Sequence, residues 1–241
     1  MVFVSSPVFD DLPPAPGFRG ARKPRRRALT REAIVDAAIE VLDEGGIDGM
    51  NMRAVAERLG TGPASLYAHV SGKDELLQLI IEKLCGDIPL PEIGAGTWQD
   101  QLKDAVRAMR RMFSEHKDLA RASLGNIPTG PNALRYVNAL LGVLRDAGLP
   151  DQVIAYAVDI LPLYATATAY EESLYSAKDM PDEGEAFIAE LRRYFSSLPA
   201  DRFPHIVALA VPLTTNDSPD ARFEFGLDAL VRGIETMREG S

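Results

Sequence analysis

Apolar positions between residues 30 and 84 recur at helical spacing in four short blocks. Thr30 is a good N-cap, with Glu32 in the first turn. Ile34, Ala38, Val41 and Leu42 form the stripe of a first helix, which Gly45 and Gly46 end. Ile47 and Met50 are expected to be loop anchors that plug a small core. A second helix is predicted from about Met52 to Leu59, with Val55, Ala56 and Leu59 inward. Gly60 stops it, because glycine tolerates the positive φ of a C-terminal cap. Thr61-Gly62 is a turn, and Pro63 opens a third helix where its missing N–H costs nothing. That helix, Pro63 to Val70, is about two turns long. Leu66 and Val70 can face a core, and Ala64, Ser65, Tyr67 and His69 point elsewhere. So short a helix does not hold itself together in water and needs support from its neighbours. A short, polar-faced, supported helix after a glycine turn is the reading element of a helix-turn-helix, which lays it in the major groove of DNA.

Ser71-Gly72-Lys73-Asp74 has capping-box spacing ahead of a strongly apolar fourth helix carrying Leu76, Leu77, Ile80, Ile81 and Leu84. Gly86, Pro89 and Pro91 end it, and the Pro/Gly-rich stretch to Gly96 reads as a domain boundary. Every later periodic segment is helical. Thr97 caps a helix with Trp98, Leu102, Val106, Met109 and Phe113 on one face. A short segment runs from Lys117 to Leu124. Asn132 caps a helix with Leu134, Val137, Leu140, Leu141 and Leu144 inward. Asp151 opens a long helix to about Ser176, which Pro162 is expected to kink. Helices follow at about 185–196 and 203–209, and Ser218-Pro219-Asp220 starts the last one, with Phe223, Leu227, Leu230, Val231 and Ile234 inward. No strand pattern or repeat stands out, so the predicted class is all-α. The expected units are residues 1–28, 29–86 and 97–241.

Composition changes the picture in one respect. The 241-residue chain carries a net charge of −9, which looks wrong for a partner of nucleic acid. Yet Arg19, Arg22, Lys23, Arg25, Arg26, Arg27 and Arg31 follow one another with no acid among them, leaving −16 (−9 less these seven) on the rest. An acidic body is repelled by phosphate and a basic arm attracted, so the asymmetry orients the basic end toward DNA. The arm also reads as a plain solubilising tail when taken alone. Residues 1–18, with four prolines, are expected to be disordered and lack the basic start of a signal peptide. A single cysteine, Cys85, excludes a disulfide framework and fits a reducing cytoplasm. No apolar run is expected to span a membrane.

No catalytic constellation emerges. There is no Cys/His pair with plausible spacing, no HExxH, no phosphate-cradling glycine loop and no cysteine cluster for zinc. His116 and His205 have no sequence-local partner. Neither an enzyme, a cofactor nor a metal site is expected.

The stretch LTREAIVDAAIEVLDEGGIDGMNMRAVAERLGTGPASLYAHVSGKDELL, residues 29–77, resembles the N-terminal domain of the tetracycline-repressor (TetR) family. The loop Gly46-Ile47-Asp48-Gly49, the run Ala54-Val55-Ala56 and the segment Leu66-Tyr67-Ala68-His69-Val70 with Lys73 carry the likeness. Residues 221–235, ARFEFGLDALVRGIE, look more weakly like the last helix of the tetracycline-repressor C-terminal domain. The resemblance implies a homodimeric, sequence-specific transcriptional regulator, most simply a repressor that a small molecule releases from an inverted-repeat operator in double-stranded DNA. It implies dimerisation through residues 151–176 and 219–238. It places DNA contacts at Arg53, Thr61, Ala64, Ser65, Tyr67, His69 and Lys73, with Arg26 and Arg27 from the arm. Tyr67, His69 and Lys73 match phosphate contacts, which set register, while Arg53 and the arm discriminate sequence more than the small Ala64 and Ser65. Trp98, Met109, Phe113, Ser123, Asn126, Tyr164, Thr168 and Glu171 fall in or near helices that line the family's ligand cavity. They also read as ordinary core or as polar groups satisfied by backbone or a partner chain. Ser123 stands where tetracycline repressors carry a metal-binding histidine, so a metal–tetracycline chelate does not carry over. The alternative reading is a non-specific or architectural DNA-binding protein without a ligand.

Overall fold

In the computed structural model the described residues are 29–91, 96–124, 129–176, 181–215 and 218–238, and among them the regular structure is entirely helical. The first helix, α1 (Arg31–Gly49), starts where Thr30 accepts the Ala33 N–H at 3.1 Å, and Ile34, Val35, Ala37, Ala38, Val41 and Leu42 are buried. It does not stop at Gly45-Gly46 as the sequence suggests. Gly46 sits at φ 65, ψ −174, which bends the chain, and a last turn follows to Gly49. Met50 is fully buried and Ile47 partly so, as core plugs should be.

Asn51 accepts the Arg53 and Ala54 N–H groups at 3.1 and 3.0 Å and starts α2 (Met52–Arg58). Next comes α3 (Pro63–Leu66), a single turn rather than the expected helix to Val70. Beyond Leu66 the chain tightens: both the His69 and Val70 N–H groups donate to the Leu66 carbonyl, at 2.8 and 3.0 Å. The capping box before α4 (Lys73–Asp87) is also corrected. Gly72 holds the N-cap position, and the reciprocal bond is made one residue later than the box requires, where the Glu75 carboxylate accepts the Ser71 N–H at 2.6 Å. The helix runs on through Gly86.

After Thr97, whose hydroxyl caps Asp100 N–H at 3.1 Å, come α5 (Trp98–Glu115), α6 (Leu119–Ser123), α7 (Pro131–Asp146) and α8 (Asp151–Ser176). Gly130, not Asn132, is the N-cap of α7. The exposed start of α7 is instead closed from a distance: the Glu82 carboxylate on α4 accepts the Asn132 N–H at 2.6 Å. The inward face of α7 is Ala133, Tyr136, Leu140, Val143 and Leu144, with Leu134 exposed. The predicted face is turned because Tyr136 is buried and donates its hydroxyl to the Ala105 carbonyl at 2.8 Å, an anchor that apolar periodicity does not register.

α8 is the central strut and packs against α5, α6, α7 and α12 (Pro219–Thr236). Its stretch Asp151–Leu174 has the length and mean hydropathy (1.3) of a membrane span, contrary to the sequence expectation. Ile154, Ala157, Leu161, Ala165 and Ala169 are nevertheless buried against its neighbours, as in a helix at the centre of a bundle. α9 (Pro181–Ser197) begins earlier than expected. It packs with α10 (Pro204–Ala208) and α11 (Ala210–Leu213).

Candidate nucleic-acid interface

Two pins seat the reading element. Leu66 and Val70 are buried in the core of α1, α2 and α4, and the glycine turn fixes the approach. With those residues inward, the single turn of α3 and the tight turn after Leu66 leave their neighbours outward. Ala64, Ser65, Ala68 and His69 are exposed, and Tyr67 keeps 55% of its surface. An aromatic ring left this exposed beside a packed core has its hydroxyl free for an outside partner. Arg53, whose side chain is 82% exposed, makes an i,i+4 ion pair to Glu57 at 3.0 Å. Such a pair contributes about 0.3–0.5 kcal/mol, little enough to be exchanged for a phosphate or a base. Thr61 is half-buried, its N–H donating to Ala56 at 2.9 Å.

Lys73 is placed differently from its neighbours in the predicted set. It is half-buried and its ammonium donates to the Ile47 carbonyl at 2.5 Å. It leaves two of its three donors for phosphate. Arg31, counted with the basic arm, lies in the first turn of α1 and pairs with Glu75. The Ser71 N–H, then the Ser71 hydroxyl and Arg31, hold the Glu75 carboxyl below its ordinary range. Arg58, not singled out by sequence, is tied to Glu40 at 2.8 Å and to Glu44, bracing α2 on α1. Arg26 and Arg27 lie outside the described residues.

The described residues of the predicted ligand cavity lie on α5, α6 and α8, and the hydroxyl and carboxylate groups of Ser123, Tyr164, Thr168 and Glu171 are engaged. Met109 and Phe113 are buried in the core and Trp98 is half-buried. Ser123 donates to the Leu119 carbonyl at 2.8 Å, and Thr168 to the Tyr164 carbonyl at 2.9 Å. Tyr164 stacks on Phe223 (centroids 5.4 Å apart, 8° between planes) and donates to the Phe223 carbonyl at 3.0 Å. Glu171 pairs with Arg222. Asn126 lies outside the described residues. Tyr164 and Glu171 stitch α8 to α12, while Ser123 and Thr168 bond back within their own helices. The sequence reading missed the centre of that seam: Arg110, 4.3 Å above the Phe223 ring, pairs with Glu172 and, at 2.8 Å, with Asp220. No spacing motif marks it, since its partners lie 62 and 110 residues away.

The same two helices also turn apolar groups outward. Tyr156, Ile160 and Leu163 of α8 are exposed at i, i+4, i+7 spacing, and Phe225 of α12 is 77% exposed. Among the described residues no group of three or more His, Cys, Asp or Glu is placed to hold a metal.

Residues 34–80 match the family model described as bacterial regulatory proteins, tetR family, and residues 90–238 that of the tetracyclin repressor-like C-terminal domain. Among curated relatives, the HTH-type transcriptional repressor DrrR1 of Streptomyces coeruleorubidus is 28% identical over 92% of this chain and 82% of its own. An HTH-type transcriptional regulator of Saccharopolyspora erythraea is 30% identical over 93% of both chains. Among solved structures, ActR of Streptomyces coelicolor in complex with actinorhodin superposes with a TM-score of 0.82 at 39% identity, covering 88% of this chain and 100% of that one.

Proposed function

The chain belongs to the TetR family of bacterial regulatory proteins, and from that premise we propose how this member reads DNA and what controls it. It is a DNA-binding transcriptional repressor that responds to a small molecule and acts as a homodimer. Residues 29–86 form the reading unit and residues 97–241 the effector-binding and dimerisation unit. In each protomer Ala64 and Ser65 meet base edges, Tyr67, His69, Thr61 and Lys73 hold phosphates, and Arg53 supplies discrimination, aided by Arg26 and Arg27 of the arm. The exposed faces of residues 151–176 and 219–238 pair with a second copy, since apolar rows on adjacent helices close best against their own duplicate. Two reading elements then face half-sites roughly 34–36 Å apart or somewhat more.

ActR has been solved with actinorhodin and with (S)-DNPA, and an Acinetobacter baumannii TetR variant with minocycline. By that likeness a small organic molecule held among α5, α6 and α8 is the effector here. It releases DNA only if it binds the DNA-incompetent arrangement more tightly than the competent one. Ser123 in place of a histidine supports an effector bound without a metal bridge. No chemical reaction is assigned, and the place of action is the cytoplasm, where the DNA is.

The observation that carries this reading is the outward Tyr67–His69 edge of an element pinned by Leu66 and Val70. Selection of bound duplexes from a random pool tests it. An inverted repeat is expected. Affinity that varies with salt but not with sequence would support the architectural alternative instead.

A further inference from the structure

Charge on α2 is arranged against the helix that carries it. Arg53 stands in the first turn and Glu57 in the last turn of this seven-residue helix. A cation near the N-terminal end and an anion near the C-terminal end both oppose the helix dipole. Of the two orders an i,i+4 ion pair can take, the one with the cation first is also the weaker. The pair therefore does little for α2, which Asn51 already caps. Nor does Glu57 serve the core. Its side chain is 66% exposed and borders a cleft of about 470 Å³ between α1 and α2, together with Glu44 and Arg58. Arg58 is committed to Glu40 and Glu44, which leaves Glu57 to Arg53.

The pair is made through one particular donor. Glu57 Oε1 accepts from Arg53 Nε at 3.0 Å. Nε is the inner donor of the guanidinium, and the outer edge keeps its N–H groups on Nη1 and Nη2. A fork oriented in this way loses less freedom on binding. Its outer edge matches the adjacent O6 and N7 acceptors that a guanine shows in the major groove. Phosphate competes for the same fork. Here three carboxylates (Glu40, Glu44 and Glu57) against two guanidinium groups (Arg53 and Arg58) leave one negative charge behind the fork. That charge repels phosphate, whereas a base edge carries no net charge. Taking a phosphate in place of Glu57 also strands the carboxylate beside a like charge, while reading a base through the outer edge leaves the pair intact.

We propose that Glu57 is a positioning residue that sets the base specificity of Arg53. It holds the guanidinium by Nε so that the outer edge reads a base, and it withholds Arg53 from the phosphate backbone. This inference rests on the DNA-reading assignment above, which the parent protein's own base preferences decide separately.

The experiment uses the full-length protein, the duplex selected from the random pool and the duplexes carrying each single symmetric base-pair change in it. Affinities are measured at several salt concentrations, with Tm alongside, for the parent, Arg53→Ala, Glu57→Gln, Glu57→Ala and the Arg53→Ala/Glu57→Ala double variant. Arg53→Ala marks the position that Arg53 reads. At that position Glu57→Ala is expected to lose about tenfold of the parent's discrimination, with discrimination elsewhere and Tm unchanged. Its affinity for unrelated duplex is expected to rise and to fall more steeply with salt, because the released guanidinium turns to phosphate. Glutamine keeps an acceptor for Nε, so Glu57→Gln is expected to retain discrimination within about threefold. The double variant is expected to discriminate as Arg53→Ala does, since Glu57 acts through Arg53. Parental discrimination in Glu57→Ala overturns the proposal, and so does a loss spread evenly over all positions, which is what a merely structural residue gives. An Arg53→Ala variant that discriminates as the parent does at every position overturns it too. A parent without base preference at any position overturns the DNA-reading assignment together with this inference, whereas a discriminating parent matched by Glu57→Ala overturns the inference alone.

Discussion

The reading element and the outer face of α8 and α12 treat apolar side chains in opposite ways. Around α3, Leu66 and Val70 are buried and what remains outside is small or polar apart from the Tyr67 ring. On α8 and α12 the buried row (Ile154, Leu161, Phe223, Leu227) is matched by an exposed one (Tyr156, Ile160, Leu163, Phe225). The first surface is complete in one chain and waits for a polar partner. The second leaves unburied the kind of surface that stabilises proteins at about 25 cal/mol per Å², and is complete only against another apolar face. A helix with two apolar sides is therefore a different object from a helix with one, even where their composition is similar.

The sharpest way to break the contrast is at the pin. Leu66→Ala should lower stability by about 2–5 kcal/mol, because it empties a fully enclosed site. Operator binding should vanish along with a drop in Tm, measured by calorimetry and by gel shift. Next is Phe225→Glu on the other surface. We expect dissociation of the dimer by sedimentation, a loss of about 2 kcal/mol or more for a central aromatic, and retained helicity by circular dichroism. A monomer that still bound an inverted repeat with parental affinity would show that α12 is not the joining face. Tyr67→Phe should leave Tm unchanged and cost about 1 kcal/mol in DNA affinity, the worth of one hydrogen bond, equally across sequences. A change in base preference would move Tyr67 from phosphate to base reading. The smallest effect is acid-dependent. The Glu75 carboxyl is held low, chiefly by the Ser71 N–H. A depressed value means its contribution is present above the ordinary carboxylate range and is lost as pH falls through the folded value. The start of α4 should loosen below about pH 4.5, read as faster amide exchange at Ser71. Glu75→Gln should remove that dependence.

What the sequence made legible followed from how local the cause was. The caps at Thr30, Thr97 and Ser218 were readable because the bonded N–H lies three residues on. The caps expected at Ser71 and Asn132 were displaced because Glu75 and, from α4, Glu82 supply the acceptors. The stripes of α1, α4 and α12 were readable from their period, whereas that of α7 was turned by a single buried hydroxyl on Tyr136. The outward set at Ala64, Ser65, Tyr67 and His69 was legible for the same reason as the pins: the turn of α3 and the tight turn after it are both local. Ser123, Tyr164, Thr168 and Glu171 show the limit. A polar residue on an apolar helix looks the same in sequence whether it awaits a ligand or bonds a carbonyl one turn back. Asp118 had no local signature at all, since its partner lies in another part of the chain.

The Ile47 peptide, whose N–H donates to Asp118 at the start of α6 and whose carbonyl accepts from Lys73, bears on how such a molecule can change over generations. Both of its polar contacts are made by main-chain atoms, so replacing the isoleucine by another apolar residue of like size leaves the connection standing. Proline is the exception, for it lacks the donor. Mutational drift at this position is therefore nearly silent for the contact between α1, α4 and α6, which depends on Gly46, Lys73 and Asp118 instead.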